Sequence, residues 1–298
     1  MVRARGTMIF RRIYESAMYN TGPRTETVKI VGGKHSTGWA LAWADLIGAI
    51  NGWEFWGTLG WNDIKQRYRR SVLGPFWLTI TQAIMVGSIG VLYSFLFKVP
   101  MREYLPYLTL GLLLWGFISS LVSEGCTVFI VNEGFLKQLS APKSSFILRL
   151  IWRNLLMLAH NMVIYIPVVL IFAVPVKASM LWAILGLVLI CVTGYWVALL
   201  LGMLCARFRD IPPLVNSLLQ VALFVSPIMW KKEGMGRTVE MLAAMNPLYY
   251  YLELLRSPLL GQPIHFEIWL VALSMTSVGL VLTMVCFMRY RARIAYWL

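Results

Sequence analysis

From residue 76 onward, apolar residues run in blocks, and each block ends in a short stretch that is polar, basic or broken by proline. A helix needs about twenty mostly apolar residues to cross the ~30 Å hydrocarbon core of a bilayer. Six blocks meet that length, at residues 76–97, 104–123, 155–174, 180–205, 211–230 and 268–288. Six spans would put both ends of the chain on the same side of the membrane.

Ahead of the first block the pattern changes. Over 53–70, Trp61, Ile64, Tyr68 and Val72 recur at helical spacing, with Arg67 and Arg70 on the opposite side and Lys65 and Arg69 flanking. Aromatic residues on one face and basic residues on the other predict a helix lying in the membrane interface. The same pattern also fits a soluble amphipathic helix docked on a cytosolic partner. Gly74-Pro75 breaks the run and lets the chain turn toward the bilayer. The domain reading is a cytosolic N-terminal segment over 1–50, an interfacial helix over 51–75 and a six-span body over 76–298. Within the first segment, residues 21–38 read as loop or short strand, and no cleaved signal peptide is expected. Gly32-Gly33-Lys34 has the look of a phosphate loop, but His35 stands where Ser or Thr is required and Val28 replaces the first glycine.

The longest connection, residues 231–267, holds an apolar, aromatic stretch too short to span and punctuated by Pro247, Pro258, Gly261 and Pro263. With interface-loving Tyr249, Tyr250, Tyr251 and Trp269, it predicts short helices dipping back toward the outer leaflet rather than a surface loop.

Charge orients this layout. Of 27 Lys and Arg residues, 20 lie on the side of the termini and seven on the other, so the positive-inside rule places both termini in the cytosol. The net charge of +14 therefore flanks membrane helices, and nucleic-acid binding is not expected. Hydrophobic residues make up 59% of the chain and charged ones 13%, too apolar for a globule of this length to bury. Cys126, Cys191, Cys205 and Cys286 show no metal or disulfide spacing.

Inside the spans, Thr79, Gln82 and Tyr93 share a broad face of the first, and Asn216 and Gln220 lie one turn apart in the fifth. His160 and Asn161 fall in the cytosolic half of the third. These groups either line a path for a hydroxyl-rich substrate or hydrogen-bond neighbouring helices. Gly194, Ala198, Gly202 and Ala206, four apart, form a small-residue ridge for close helix packing. No predicted span centre carries Asp, Glu, Lys or Arg, so an ion-coupled carrier is disfavoured and the driving energy is expected from outside the chain. The abundant Trp, Tyr and Phe suit both interfacial belts and the CH faces of sugar rings.

Three segments, taken together, resemble the type-2 permease subunits of ABC transporters that export polysaccharides such as O-antigen, capsule and teichoic acid. The first is Asp63-Ile64-Lys65-Gln66-Arg67-Tyr68-Arg69-Arg70-Ser71-Val72-Leu73-Gly74-Pro75-Phe76-Trp77. The second is Arg207-Phe208-Arg209-Asp210-Ile211, followed by Leu219-Gln220 and Ser226-Pro227-Ile228. The third is Asn246-Pro247-Leu248, followed by Leu254-Leu255-Arg256 and Leu259-Leu260-Gly261. The sequence departs from the family in having Thr79 to Gln82 where many members carry a proline, and in a longer stretch before Trp53.

The resemblance implies an all-α integral membrane fold of six transmembrane helices, with an amphipathic interfacial helix before them and re-entrant gate helices between spans five and six. It implies a homodimer in the bacterial cytoplasmic membrane with two copies of a separate ABC ATPase, which would bind ATP and Mg; no cofactor, metal or catalytic residue is expected in this chain. A coupling helix would fall within 131–143, with Asn132, Glu133, Phe135, Leu136 and Lys137 touching the ATPase. Lys65, Arg67, Tyr68, Arg69 and Arg70 would meet lipid headgroups and guide an anionic lipid-linked polysaccharide. Tyr249, Tyr250 and Tyr251 would belong to an outer gate, and Thr79, Gln82, Tyr93, Asn216 and Gln220 would line the channel. The alternatives are a type-2 permease for a lipid or drug, and a membrane-embedded glycosyl- or acyltransferase.

Overall fold

The computed structural model describes residues 38–69, 74, 76–138, 141–232 and 236–298. The expectations for residues 1–37, for Arg70 and for Val72 lie outside the described residues.

Among the described residues all regular secondary structure is helical. The chain opens with α1 (Gly38–Asn51) and α2 (Trp53–Arg67), joined at Gly52. Then come α3 (Phe76–Phe97), α4 (Met101–Val131) and the short α5 (Glu133–Gln138). Next, α6 (Ser144–Asn161) continues through a 3-10 turn into α7 (Tyr165–Phe172). After them follow α8 (Trp182–Arg207), α9 (Ile211–Val225), α10 (Arg237–Met245), α11 (Pro247–Leu259), α12 (Phe266–Tyr290) and α13 (Ile294–Trp297).

Five of these runs are long and apolar enough to cross a membrane: α3, α4, α6 with α7, α8, and α12 with its extension. The block expected at 211–230 behaves differently. Its helix stops at Val225 after 15 residues, about 22 Å at 1.5 Å per residue. The cause is Pro227, which cannot continue a helix and pushes Ser226 into extended backbone. Residues 226–229 then run on as buried, irregular chain into half-buried Trp230, and side chains satisfy three of the carbonyls in this stretch. Tyr104 donates to the Met229 carbonyl at 2.5 Å, and Tyr107 to those of Pro227 and Trp230 at 3.0 Å each. Arg256 donates to the Pro227 carbonyl at 2.6 Å. Irregular backbone is tolerated at such depth only where protein meets its hydrogen-bonding needs in this way.

The core centres on α4 and α8, which run parallel in close contact. A Cβ on Gly125 would lie 2.8 Å from the Ala198 Cα, so only glycine permits this approach. Leu121 faces Gly194, and Val128 and Phe129 face Gly202. The small-residue ridge is therefore the seam against α4. Reading along these helices gives the bundle two ends, one holding Arg102 at the start of α4 and the other holding α5.

Residues 38–51 form a helix packed on α6 and α12. Asp45, 2% exposed, accepts hydrogen bonds from the Lys143 and Ser144 amides at 3.1 and 2.9 Å, filling orphan donors at the start of α6. It also pairs with Arg291 at 2.9 Å, tying both ends of the described chain together. In α2, Trp56, Gly60 and Asp63 face α6. Trp56 meets Trp152 edge to face, Gly60 abuts the same ring, and Asp63 bonds Arg149, while Trp61 stays 48% exposed.

Candidate substrate path and coupling site

At the end of the bundle that holds α5, four helices bring charged and hydroxyl-bearing side chains together. Arg149 on α6 clasps Asp63 on α2 with Nη2 and Nε, at 2.5 and 2.8 Å, and donates from Nη1 to Asn132 Oδ1 at 3.0 Å. One turn on, Arg153 reaches Asp63 at 3.4 Å and Glu124 of α4 at 2.6 Å. Asn154 donates to the same Glu124 oxygen at 2.7 Å. All four charged side chains are partly buried, where paired charges interact more strongly than on the open surface. The arginines engage both carboxylates, so neither is left as a free general base.

Two cavities meet at Glu124. The first, of about 230 Å³, lies among α3, α4 and α6 beside Arg67 of α2, with Gln82, Ser120, Glu124, Asn154 and Asn161 in its wall. The second, of about 210 Å³, continues past Thr127 to Asn132, Arg149 and Arg153. Ser120, Glu124 and Thr127 follow helical spacing along α4 and make one polar lane through both. Near the first cavity, Thr79 Oγ1, His160 Nε2 and Asn161 Oδ1 are buried with no hydrogen-bond partner, and the Phe76 ring lies 5.1 Å from that of His160. Buried polar atoms normally have partners, so these three are suited to a hydroxyl or water supplied from outside the fold.

The sequence-derived residues thus divide. Arg67 and Gln82 converge on one cavity, and Thr79 lies beside that locus. Tyr93 packs half-buried against the hydrophobic core instead. Asn216 accepts a hydrogen bond from Ser123 at 2.7 Å, and with Gln220 it is exposed on α9, away from the cavities. Lys65 stacks over Trp61 at 5.5 Å, Tyr68 donates to the Met157 sulfur at 3.9 Å, and Arg69 is exposed.

The residues expected to couple to an ATPase also separate into two groups. Asn132 is buried and caps α4, while Phe135 and Lys137 project from α5 and Leu136 turns back on the core. Glu133 pairs with Lys137 at 2.6 Å, which holds its carboxyl below the usual range. Beside α5, burial first, then the nearby Arg291, lowers the Lys143 ammonium, with Asp45 opposing.

Sequence reading missed Glu124, Arg149 and Arg153 as a unit. The block 104–123 stops one residue short of Glu124, although α4 continues to Val131. The spacing Ser120, Glu124, Thr127 was the available signal.

At the opposite end, α10 and α11 fill the connection before α12. Tyr251 is buried and bonds Thr276 at 3.0 Å, two to three turns into α12, so α11 dips into the bundle. Tyr249 is buried, bonds Lys232 and packs edge to face on Tyr250 at 5.2 Å.

Residues 54–260 match the family described as ABC-2 type transporter, about two thirds of the chain and every element from α2 to α11. The chain belongs to the ABC-2 type transporter family. The polar lane and the dipping α11 are thus features of an ABC-2 membrane subunit, a transport component. This ABC-2 chain is 24% identical over 232 residues to an O-antigen export system permease protein, RfbA, of Klebsiella pneumoniae, covering 73% of this chain and 86% of the relative. A protein of the same name from Myxococcus xanthus is 25% identical over 198 residues, covering 62% and 72%.

Proposed function

We propose that this chain is the membrane permease subunit of an ATP-driven exporter that moves a lipid-linked polysaccharide across the bacterial cytoplasmic membrane. The observation that carries the reading is the polar lane from Arg67 and Gln82 through Ser120, Glu124 and Thr127, in an ABC-2 chain whose relatives bear the name of O-antigen permeases. Hydroxyls and amides suit a sugar polymer, and the cation at the mouth suits a phosphate-bearing lipid head.

Two copies of this chain and two of an ABC ATPase make the working unit. Support for the pairing comes from α9, none of whose residues is buried, with Leu214, Leu218, Val221 and Phe224 all more than half exposed. The stretch 211–230 runs from one end of the bundle to the other and makes the sixth crossing. Both termini lie in the cytosol, in line with the basic residues at that end.

ATP binding in the partner acts through Phe135 and Lys137 on α5. Movement of α5 reaches the lane because Asn132, at the junction of α4 and α5, is bonded to Arg149, which holds Asp63. The ATPase shifts the permease only by as much as its affinity differs between the two arrangements. Tyr249 and Tyr250 form the outer gate, with Tyr251 as its fixed anchor.

Deleting the gene tests this reading in cells. Export loss with polymer accumulating on the cytosolic side supports it. Undiminished surface polymer contradicts it.

A further inference from the structure

A cavity of about 830 Å³ lies at the end of the bundle away from α5, and its chemistry is different. Its wall holds four cations, Arg102, Lys177, Lys231 and Arg256, and two carboxylates, Glu103 and Glu253. Glu253 is taken up by Arg256 and Ser257. Arg102, Lys177 and Lys231 therefore face the cavity against Glu103 alone.

The three cations are positioned, and among the described residues no ion pair neutralises them. Arg102 donates from Nε to the Phe172 carbonyl at 3.3 Å, and its two terminal nitrogens have no acceptor among the described residues. Ala173 directs that carbonyl by adopting φ +52°, a left-handed conformation unusual for a residue with a Cβ. Lys177 donates one hydrogen bond, to the Gly261 carbonyl at 3.0 Å. Gly261, at φ +72°, sits so close to Pro175 that a Cβ would lie 2.6 Å from its carbonyl oxygen, so only glycine closes this wall. Lys231 lies 5.5 Å from the centre of the Tyr107 ring, whose other close cation is Arg256 at 3.9 Å.

We propose that this cavity binds a phosphate-type oxyanion carried on a larger polar molecule, held by Arg102, Lys177 and Lys231. Converging guanidinium and ammonium donors with spare hydrogens fit a tetrahedral oxyanion with several acceptor oxygens. The volume greatly exceeds the ~30 Å³ of a water molecule, so the anion is one part of its ligand. A membrane phospholipid headgroup and the phosphate of a transported glycolipid share this chemistry. Only the second source rests on the exporter reading.

The test uses the full chain in nanodiscs of phosphatidylcholine, titrated with inorganic pyrophosphate by calorimetry. Saturable binding is expected, weakened about tenfold or more by the pair Arg102→Gln and Lys177→Gln. Both side chains are exposed, so the variant should keep the helicity and elution volume of the parent. The pair Arg237→Gln and Arg289→Gln, which removes the same charge away from the cavity, should bind as the parent does. Absence of saturable binding, or equal weakening by both pairs, overturns the proposal. With phosphatidylglycerol in the nanodisc, competition that depends on Arg102 and Lys177 identifies the headgroup as the ligand. Pyrophosphate binding without competition identifies the phosphate of the transported molecule. Neither ATPase nor export enters the assay, so a null result removes this site and leaves the exporter reading standing.

Discussion

Arg149 holds Asp63 by a two-pronged clasp 86 residues apart in sequence, and the same guanidinium reaches Asn132 at the end of α4. This links α2, whose Arg67 borders the first cavity, to the start of α5. Lysine in place of Arg149 keeps the charge and loses the fork. We expect Arg149→Lys to leave assembly and basal ATP hydrolysis intact and to reduce export about threefold to thirtyfold, the range of coupling energies between linked sites. Transport per ATP hydrolysed, measured in proteoliposomes, checks this.

Arg67 makes a separate prediction, because it lines the first cavity without a carboxylate partner among the described residues. Arg67→Ala should impair export while membrane insertion and oligomer assembly stay normal. Surface polymer measured against membrane protein level reads the difference. Normal display in this variant sinks the headgroup-guiding role.

Asp45 is fully buried, fills two orphan amides of α6 and pairs with Arg291. Asp45→Ala should cost about 2 kcal/mol, below the ~3–5 kcal/mol of a fully buried broken pair because Arg291 is partly exposed to water. A lowered unfolding temperature of the purified chain is the expected result. The paired change Arg291→Ala should add little further loss, since the two share one interaction.

Much of the architecture was legible because lipid imposes one simple demand, long apolar helices that satisfy their own backbone. Five runs follow from that demand, and the small-residue seam lets two of them pack closely. The end of α9 was not legible from apolar content alone, since Ile228, Met229 and Trp230 extend the apolar block past Pro227. Its carbonyl partners, Tyr104, Tyr107 and Arg256, come from sequence positions more than 25 residues away, which no local pattern reveals. The site was half legible for the same reason. Arg67 and Gln82 announce themselves by local spacing, whereas Asp63, Glu124, Arg149 and Arg153 become a unit only when α2, α4 and α6 meet.

Gly111 offers a packing test at the irregular stretch. A Cβ there would lie 2.5 Å from the Ile228 carbonyl oxygen, a backbone atom that cannot move without breaking its neighbours' bonds. Gly111→Ala should destabilise by about 1–3 kcal/mol, as overpacking does, and Gly116→Ala, with open space around it, should not. Thermal unfolding of the two variants side by side checks this.

Lys143 sets a pH dependence. Its folded pKa lies below the ordinary 10.5, so the folded chain binds fewer protons than the unfolded chain in the window between the two. Stability contributed by this group therefore rises with pH through that window. The gain in unfolding temperature between neutral pH and a pH just below 10.5 should be smaller in Lys143→Met than in the parent.

The central claim is tested most directly by purifying the chain under gentle extraction, identifying the protein bound to it, and assaying ATP hydrolysis of the complex with lipid-linked glycan. The account predicts a stoichiometric ABC ATPase whose hydrolysis rises when the glycan is added. A chain that brings down no nucleotide-hydrolysing partner, or a complex whose hydrolysis ignores the glycan, would contradict it.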